Sequence, residues 1–316
     1  MLTFLKNWTL PIAMLAGVVA YLLFAHVELL EPTKPFVSTF VAYLTPALIF
    51  LQLLLTFCKI EPRELIPTPW HGWLLLFQFL SASSLAAMLI FMQMEGAYQV
   101  VFEGAMVCLI CPTATAAAVI TGKLGGSASS LTTYTLLSNL LAAVVVPLMF
   151  PLVEPHADMT FFVAFLKILS KVFPLLLSPF LLAMLFRYCI PKVHRLLLKF
   201  RDSAFYLWSI ALMIVTGQTV KSLIESDAAV GVKLSLALAG LLACAVQFYL
   251  GKRIGSRYAD RISAGQALGQ KNTVLAIWMA YTYLNPLSSV APGSYVLWQN
   301  IFNSYQLWKK RKKESC

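Results

Sequence analysis

Charge is what this sequence has least of. Only 12% of its 316 residues are charged, about half the ~25% typical of soluble proteins. With 59% of residues hydrophobic, such a chain cannot clothe itself in a water-compatible surface. It is expected to be an all-α integral membrane protein. Histidine is scarcer still: His26, His71, His156 and His194 fall at the ends of apolar runs or between them, and no two are spaced for a metal. No nucleophile–base pair stands at membrane depth either, so enzymatic function is disfavoured. Six scattered cysteines (Cys58, Cys108, Cys111, Cys189, Cys244, Cys316) read as free thiols, since Cys108-x-x-Cys111 has no second pair. No cleavable signal peptide is expected, because the first apolar run is long enough to span and lacks a small-residue cleavage site.

Present in abundance are apolar runs of the ~20 residues needed to cross a bilayer. Ten such spans are expected, at roughly 9–28, 36–57, 71–94, 98–121, 127–153, 162–186, 203–222, 228–251, 262–284 and 286–307. The loops between them are short, so the chain is expected to be one transmembrane unit: a first repeat over 1–155, a second over 160–308, and a basic tail over 309–316. Eighteen of the 24 lysines and arginines collect on one side, among them Lys59, Arg63, Lys123, Arg187, Arg201, Arg253 and the tail Lys309–Lys313. The positive-inside rule then makes both termini cytoplasmic. It also accounts for the net charge of +11 without nucleic acid as a partner, and for the basic tail without a dedicated lipid-binding role.

Two of the spans are interrupted. The stretch Cys108–Leu131, which runs from span 4 into span 5, carries Pro112, a run of small residues from Thr113 to Ala118, and Gly122, Gly125 and Gly126. Proline removes a backbone donor and clashes with the preceding turn, and open backbone is tolerated at membrane depth only where it lines a cavity or is buried in protein. Span 9 carries the counterpart, Ala264–Asn272, with Gly265 and Gly269. Gln78-Phe79 in span 3 and Gln247-Phe248 in span 8 each precede a break. Five spans per half is an odd number, so the repeat must be inverted, an arrangement that brings unwound segments together at a midplane binding site.

At these positions the sequence resembles the bile acid:sodium symporter family. The resemblance rests on Cys111-Pro112-x-x-Thr115-Ala116 with Val119 and Thr121; on Thr135, Ser138 and Pro147 in span 5; and on Gly269-x-x-Asn272 in span 9. Span 10 adds Ala291-Pro292-Gly293, Trp298-Gln299-Asn300 and Ser304, span 6 adds Lys171-Val172-Phe173-Pro174, and span 3 adds Gln78-Phe79. The resemblance implies ten helices in panel and core domains, crossed broken helices 4 and 9, and alternating-access, sodium-coupled import of organic anions. It also implies sodium ligands that are missing here. Ala117 and Ala118 stand where the family has a Ser-Asn pair, Ala267 where it has glutamate, Lys271 where it has glutamine, and Leu131 where it has serine. Only Gln78 and Thr135 match ligand positions directly, and Ser130 or Thr132 could replace the serine after a one-residue slip.

A hard cation such as sodium needs several oxygens, which methyl groups do not supply, and an ammonium in the cage repels it. One glutamate with two sodium ions sums to the same +1 as Ala267 with Lys271 alone. Lys271 is therefore expected to stand in for a coupling cation, and with Glu103 it is a candidate proton carrier; the alternative for Lys271 is a structural cation paired to carbonyls or to Glu103. Thr115, Gln266, Gln270 and Asn272 complete the expected polar surround. Gln247, Asn139 and Asn300 also suit interhelical hydrogen bonding, and Trp278, Tyr281 and Tyr283 read by default as belt or packing residues. The expected function is secondary transport of a small or amphipathic organic anion across a bacterial inner membrane, without a cofactor and with a proton, or no ion, in place of the usual sodium. A sodium symporter with rearranged ligands and a non-transporting receptor on the same fold are the alternatives.

Overall fold

The computed structural model describes residues 2–155, 158–200 and 203–314. The expectations placed on His156, Arg201 and Cys316, and on the side chain of Lys313, lie outside what is described. The described chain is helical: α1 (Leu2–His26), α2 (Lys34–Phe57), α3 (Pro69–Phe91), α4 (Gly96–Ile110), α5 (Ala117–Leu124), α6 (Ala128–Val153) and α7 (Phe161–Cys189). These are followed by α8 (Pro191–Lys199), α9 (Ser203–Glu225), α10 (Val230–Ser256), α11 (Arg261–Gly269), α12 (Thr273–Tyr283) and α13 (Val290–Glu314). Short 3₁₀ turns at Glu28–Thr33, Pro62–Glu64 and Pro286–Ser289 join neighbours.

Six helices among the described residues are long and apolar enough to cross a bilayer: Leu30–Phe57 (α2 with its leading turn), α3, α6, α7, α9 and α10. The protein is an integral membrane protein. The breaks at 111–116 and 270–272 cut two further stretches into α4 with α5 and α11 with α12, each piece shorter than a span. Large apolar side chains on the outside, such as Phe36, Tyr43 and Phe91, are exposed, as lipid-facing residues are in a solvent-free description of a bundle.

Two features differ from the sequence expectation. The stretch after span 6 is not a plain loop. Pro191 opens α8, and Lys192, Arg195 and Lys199 recur along it while His194 turns inward, its Nε2 donating to the Cys58 carbonyl at 3.0 Å. The basic tail expected over 309–316 is in part a continuation of span 10: α13 runs on through Lys309–Lys312 to Glu314, because Lys, Arg and Glu are good helix formers.

The chain divides into two compact units, Met1–Lys59 with Pro174–Asp227, and Ile60–Phe173 with Ala228–Cys316. In the first, α1 meets α9 through glycines. A Cβ on Gly17 would collide with the Met213 carbonyl, and one on Gly217 would lie 3.2 Å from the Gly17 carbonyl. Small residues allow such backbone approach, which drives helix association where apolar burial cannot. In the second unit, Gly251 and Gly255 do the same for α10 against α11, each position's Cβ falling 2.5 Å from an atom of Ala264 or Asp260. That close contact fixes α11, and with it the second break.

Candidate functional site at the crossed helix breaks

The two breaks lie in the same unit and touch. Thr113 and Lys271 form an isolated antiparallel bridge. Ala114 N donates to the Gln270 carbonyl at 2.9 Å, and Asn272 N donates to the Pro112 carbonyl at 2.9 Å. Pro112 has no N–H, so it enters the crossing as an acceptor only. Each extended segment thus satisfies the backbone of the other, which unwound chain inside a membrane protein requires.

Helix C-termini leave up to four carbonyls without intrahelical partners, and here those ends are buried. Their partners can be named one by one. At the end of α4, the Gln247 amide donates to Cys108 O (3.2 Å) and the Lys271 ammonium to Leu109 O (3.3 Å). Gln78 Nε2 donates to Ile110 O (2.7 Å) and Cys111 O (3.2 Å). At the end of α11, Thr113 Oγ1 donates to Ala267 O (2.5 Å) and Tyr295 OH to Gly269 O (2.8 Å). Asn272 caps the start of α12 by accepting from Leu275 N at 3.3 Å. Its carbonyl accepts from the Cys111 thiol at 3.0 Å.

The glutamine partners pair with tyrosines in matching fashion. Tyr134 OH, on α6, donates to Gln78 Oε1 at 3.0 Å, and Gln247 Nε2, on α10, donates to Tyr295 OH on α13 at 3.2 Å. Both glutamines thus hold the end of α4, and Tyr295 carries the second pair across to Gly269 O at the second break.

Lys271 is 1% exposed. Its main-chain N donates to Gln299 Oε1 at 3.0 Å, and among the described residues no carboxylate forms an ion pair with it. The pairing with Glu103 is not found, because Glu103 has other partners. It is buried in α4, accepting from Asn285 N (3.2 Å) and from Gln99 Nε2 (3.0 Å). The same amide nitrogen also donates to Glu154 Oε2 at 2.6 Å. Glu103 and Glu154 thus face one another across a shared donor, and Glu103 is not a solvated interfacial acid.

Four of the positions where the family resemblance implies sodium oxygens are hydrocarbon, while Gln78 and Thr135 keep theirs. Ala117, Leu131 and Ala267 belong to one buried apolar cluster with Trp70, Leu74, Tyr134, Ala264 and Leu268, and Ala118 packs on its edge. No oxygen-rich cage of the kind a hard cation needs is built from these side chains. Thr132 and Thr135 stand on α6 with their hydroxyls donating to their own helix, at Ala128 O (2.7 Å) and Leu131 O (3.0 Å). Thr115 is buried in the first break, Gln266 donates to Asn303 Oδ1 at 3.0 Å, and Gln270 is 7% exposed. The side-chain carbonyls of Gln266 and Gln270 and both amide atoms of Asn139 are buried without a partner.

Several participants were not anticipated as such. Thr113, Tyr134, Tyr295 and Asn303 act at the crossing, and no sequence signal marked the tyrosines, whose spacings from their glutamines differ (56 and 48 residues). Conversely, Asn300 donates to the Val296 carbonyl of its own helix (2.7 Å). Trp278 and Tyr283 are buried as an edge-to-face pair, which makes them packing residues.

Among curated proteins none matches the chain. A model of the sodium bile acid symporter family matches residues 45–226, a stretch that includes the first break and ends before the second. That match covers more than half of the sequence, and the chain belongs to the sodium bile acid symporter family.

Proposed function

We propose that the protein is a secondary transporter of a small or amphipathic organic anion, working by alternating access, in which Lys271 takes the place of a coupling cation. Membership of a symporter family supports transport over catalysis. The observation that carries the finer reading is the content of the crossing: one fixed ammonium on the Leu109 carbonyl, and an apolar cluster where sodium would need oxygens. The C-terminal end of a helix favours a cation by about 0.3–1 kcal/mol, and up to about 2 when partly buried. The end of α4 therefore suits an ammonium as it would a metal ion. The N-termini of α5 and α12 at the same crossing favour an anion.

The proposed topology counts α4 with α5, and α11 with α12, as single passes, giving ten passes in two inverted repeats of five. The paired glutamines and tyrosines support it, and the two compact units support panel and core domains. In this reading both termini are cytoplasmic, which the basic loops support, and the membrane is a bacterial inner membrane.

Two measurements test the reading. The first is thermal unfolding of purified protein in sodium, potassium and choline chloride at equal ionic strength, for wild type and for Ala267→Glu with Lys271→Gln. A ligand bound only by the folded state raises apparent stability. Wild type is expected to ignore sodium, and the double variant to gain a sodium-specific rise of a few degrees. A sodium shift in wild type would instead assign coupling to rearranged ligands such as Ser130, Thr132 and backbone carbonyls. The second is uptake of radiolabelled organic anions into proteoliposomes, with and without an imposed pH gradient. Stimulation by the gradient assigns a coupled proton, equal flux without it assigns facilitation, and no flux of any anion assigns a receptor.

A further inference from the structure

The face that α13 turns inward is polar where packing alone would favour hydrocarbon. From Leu297 to Lys312 its buried residues are Gln299 and Asn303 alone, and with Tyr295 they recur every four residues on one side of the helix. Tyr295 is 0%, Gln299 6% and Asn303 5% exposed. Burying such groups is costly unless they are hydrogen-bonded, and all three find partners in one short stretch, Gln266 to Lys271. Tyr295 OH donates to Gly269 O at 2.8 Å, Gln299 Oε1 accepts from Lys271 N at 3.0 Å, and Asn303 Oδ1 accepts from Gln266 Nε2 at 3.0 Å. The row grips the last turn of α11 and the start of the second break at three points.

The middle grip bears on Lys271 most directly. Among the main-chain N–H groups of the second break, Gln270 donates back to Gln266 O and Asn272 donates to Pro112 O, each at 2.9 Å, so both are held by backbone. The Lys271 N–H goes to a side chain instead. Lys271 is therefore tied at both ends, its main chain to α13 and its ammonium to Leu109 O on α4 at 3.3 Å. An ammonium on a flexible four-carbon stem stays on one carbonyl only while its base is held, which is what supporting residues behind a binding group supply. Tyr295 reaches the target as well as the base: it accepts from Gln247, whose amide also donates to Cys108 O, the carbonyl next to that of Leu109.

We propose that Gln299 is a positioning residue for Lys271, and that the Tyr295–Gln299–Asn303 row of α13 holds the second break in the register that lands the ammonium on the Leu109 carbonyl. The bearing of this on transport rests on the role given to Lys271 under the proposed function; the placement itself does not.

The test is solid-state NMR of the full chain in lipid, with ¹⁵N at the lysine Nζ and ¹³C at the leucine carbonyls. Lys271→Met identifies the Lys271 signal by its loss, and Leu109→Ile, which keeps the carbonyl but not the label, identifies the leucine that dephases it. Wild type is expected to show that dephasing. Gln299→Met, of similar length but without the amide acceptor, is expected to lose it, and Gln299→Glu, which still accepts from Lys271 N, to restore it. Gln299→Asn stops one methylene short and is expected to lose at least half, a milder variant should the methionine form not fold. Asn300→Leu removes an amide that donates within its own helix and is expected to change nothing. Full dephasing in the asparagine or methionine variant would overturn Gln299 as the positioning residue. Equal loss in Asn300→Leu would show a general disturbance of α13 and would overturn it too. Uptake of anion is no part of the readout, so a failed placement and a failed transport role for Lys271 stay distinguishable.

Discussion

At the scale of single residues, the chemistry turns on who holds the carbonyls of the interrupted helices. Gln78 is the most heavily used side chain, serving Ile110 O, Cys111 O and the Tyr134 hydroxyl together. Replacing it with leucine leaves three buried polar groups unpaired. At roughly 1–3 kcal/mol for each such group, Gln78→Leu is expected to be among the most destabilising substitutions in the chain, as read by thermal unfolding. Lys271→Met removes one bond and one charge. It is expected to cost about 1–3 kcal/mol at the orphaned Leu109 carbonyl, and to abolish anion uptake. If Lys271 were only structural, Lys271→Gln, which can still donate to that carbonyl, would restore stability and uptake alike; under the proposed function it restores stability alone. Glu103 offers a contrasting case. Glu103→Gln can still accept from Asn285 N and is expected to keep the fold, whereas Glu103→Leu strands that donor while the Gln99 amide keeps Glu154, with a lower unfolding temperature as the readout.

At the scale of elements, the first break was legible because Pro112 is followed directly by a run of small residues, whereas Pro46 alone leaves α2 continuous. Pro112 and the glycines around 265–269 predict both interruptions, and α4, α5, α11 and α12 end beside them. The partners were less legible. Tyr134 and Tyr295 are aromatic residues in apolar runs, and sequence alone does not separate a belt tyrosine from one whose hydroxyl reaches a helix end. The α8 helix was missed because charges between spans read first as a topology signal, although Lys192, Arg195 and Lys199 also trace one side of a short helix. That apolar residues stand at several of the family's ligand positions was visible residue by residue, but not that Ala117, Leu131 and Ala267 would close on one another as a single apolar cluster. That depends on how α5, α6 and α11 pack. The packing of α11 is itself testable. Gly251→Val would press on the Ala264 backbone, where even a Cβ falls 2.5 Å from its carbonyl. It is expected to displace α11, lower stability by about 1–3 kcal/mol as overpacked sites do, and reduce transport without touching the crossing directly.

At the scale of the whole molecule, the distribution of basic residues and the count of passes make one joint prediction. In a chain whose native cysteines have been replaced by serine, Lys34→Cys and Lys309→Cys are expected to label from opposite sides of the membrane. With an even number of passes and the amino terminus on the basic side, the turn after α1 and the end of α13 cannot share a compartment. Labelling of both from one side would require an odd number of passes between them to become even, and the ten-pass arrangement would be withdrawn.

The bridge between Thr113 and Lys271 also bears on how the protein is made. Its bonds join residues about 160 positions apart in the chain, so during synthesis the first interruption enters the bilayer long before its partner exists. Contacts this distant in sequence form late. Until then the ends of α4 and α5 hold open carbonyls and amides that hydrocarbon cannot satisfy, and they must borrow water or the insertion machinery. Biogenesis therefore has its vulnerable interval between the translation of α5 and the arrival of α11. A ribosome stalled in that interval is expected to leave a nascent chain whose first half is inserted but open to proteolysis at the very residues that later become its most protected.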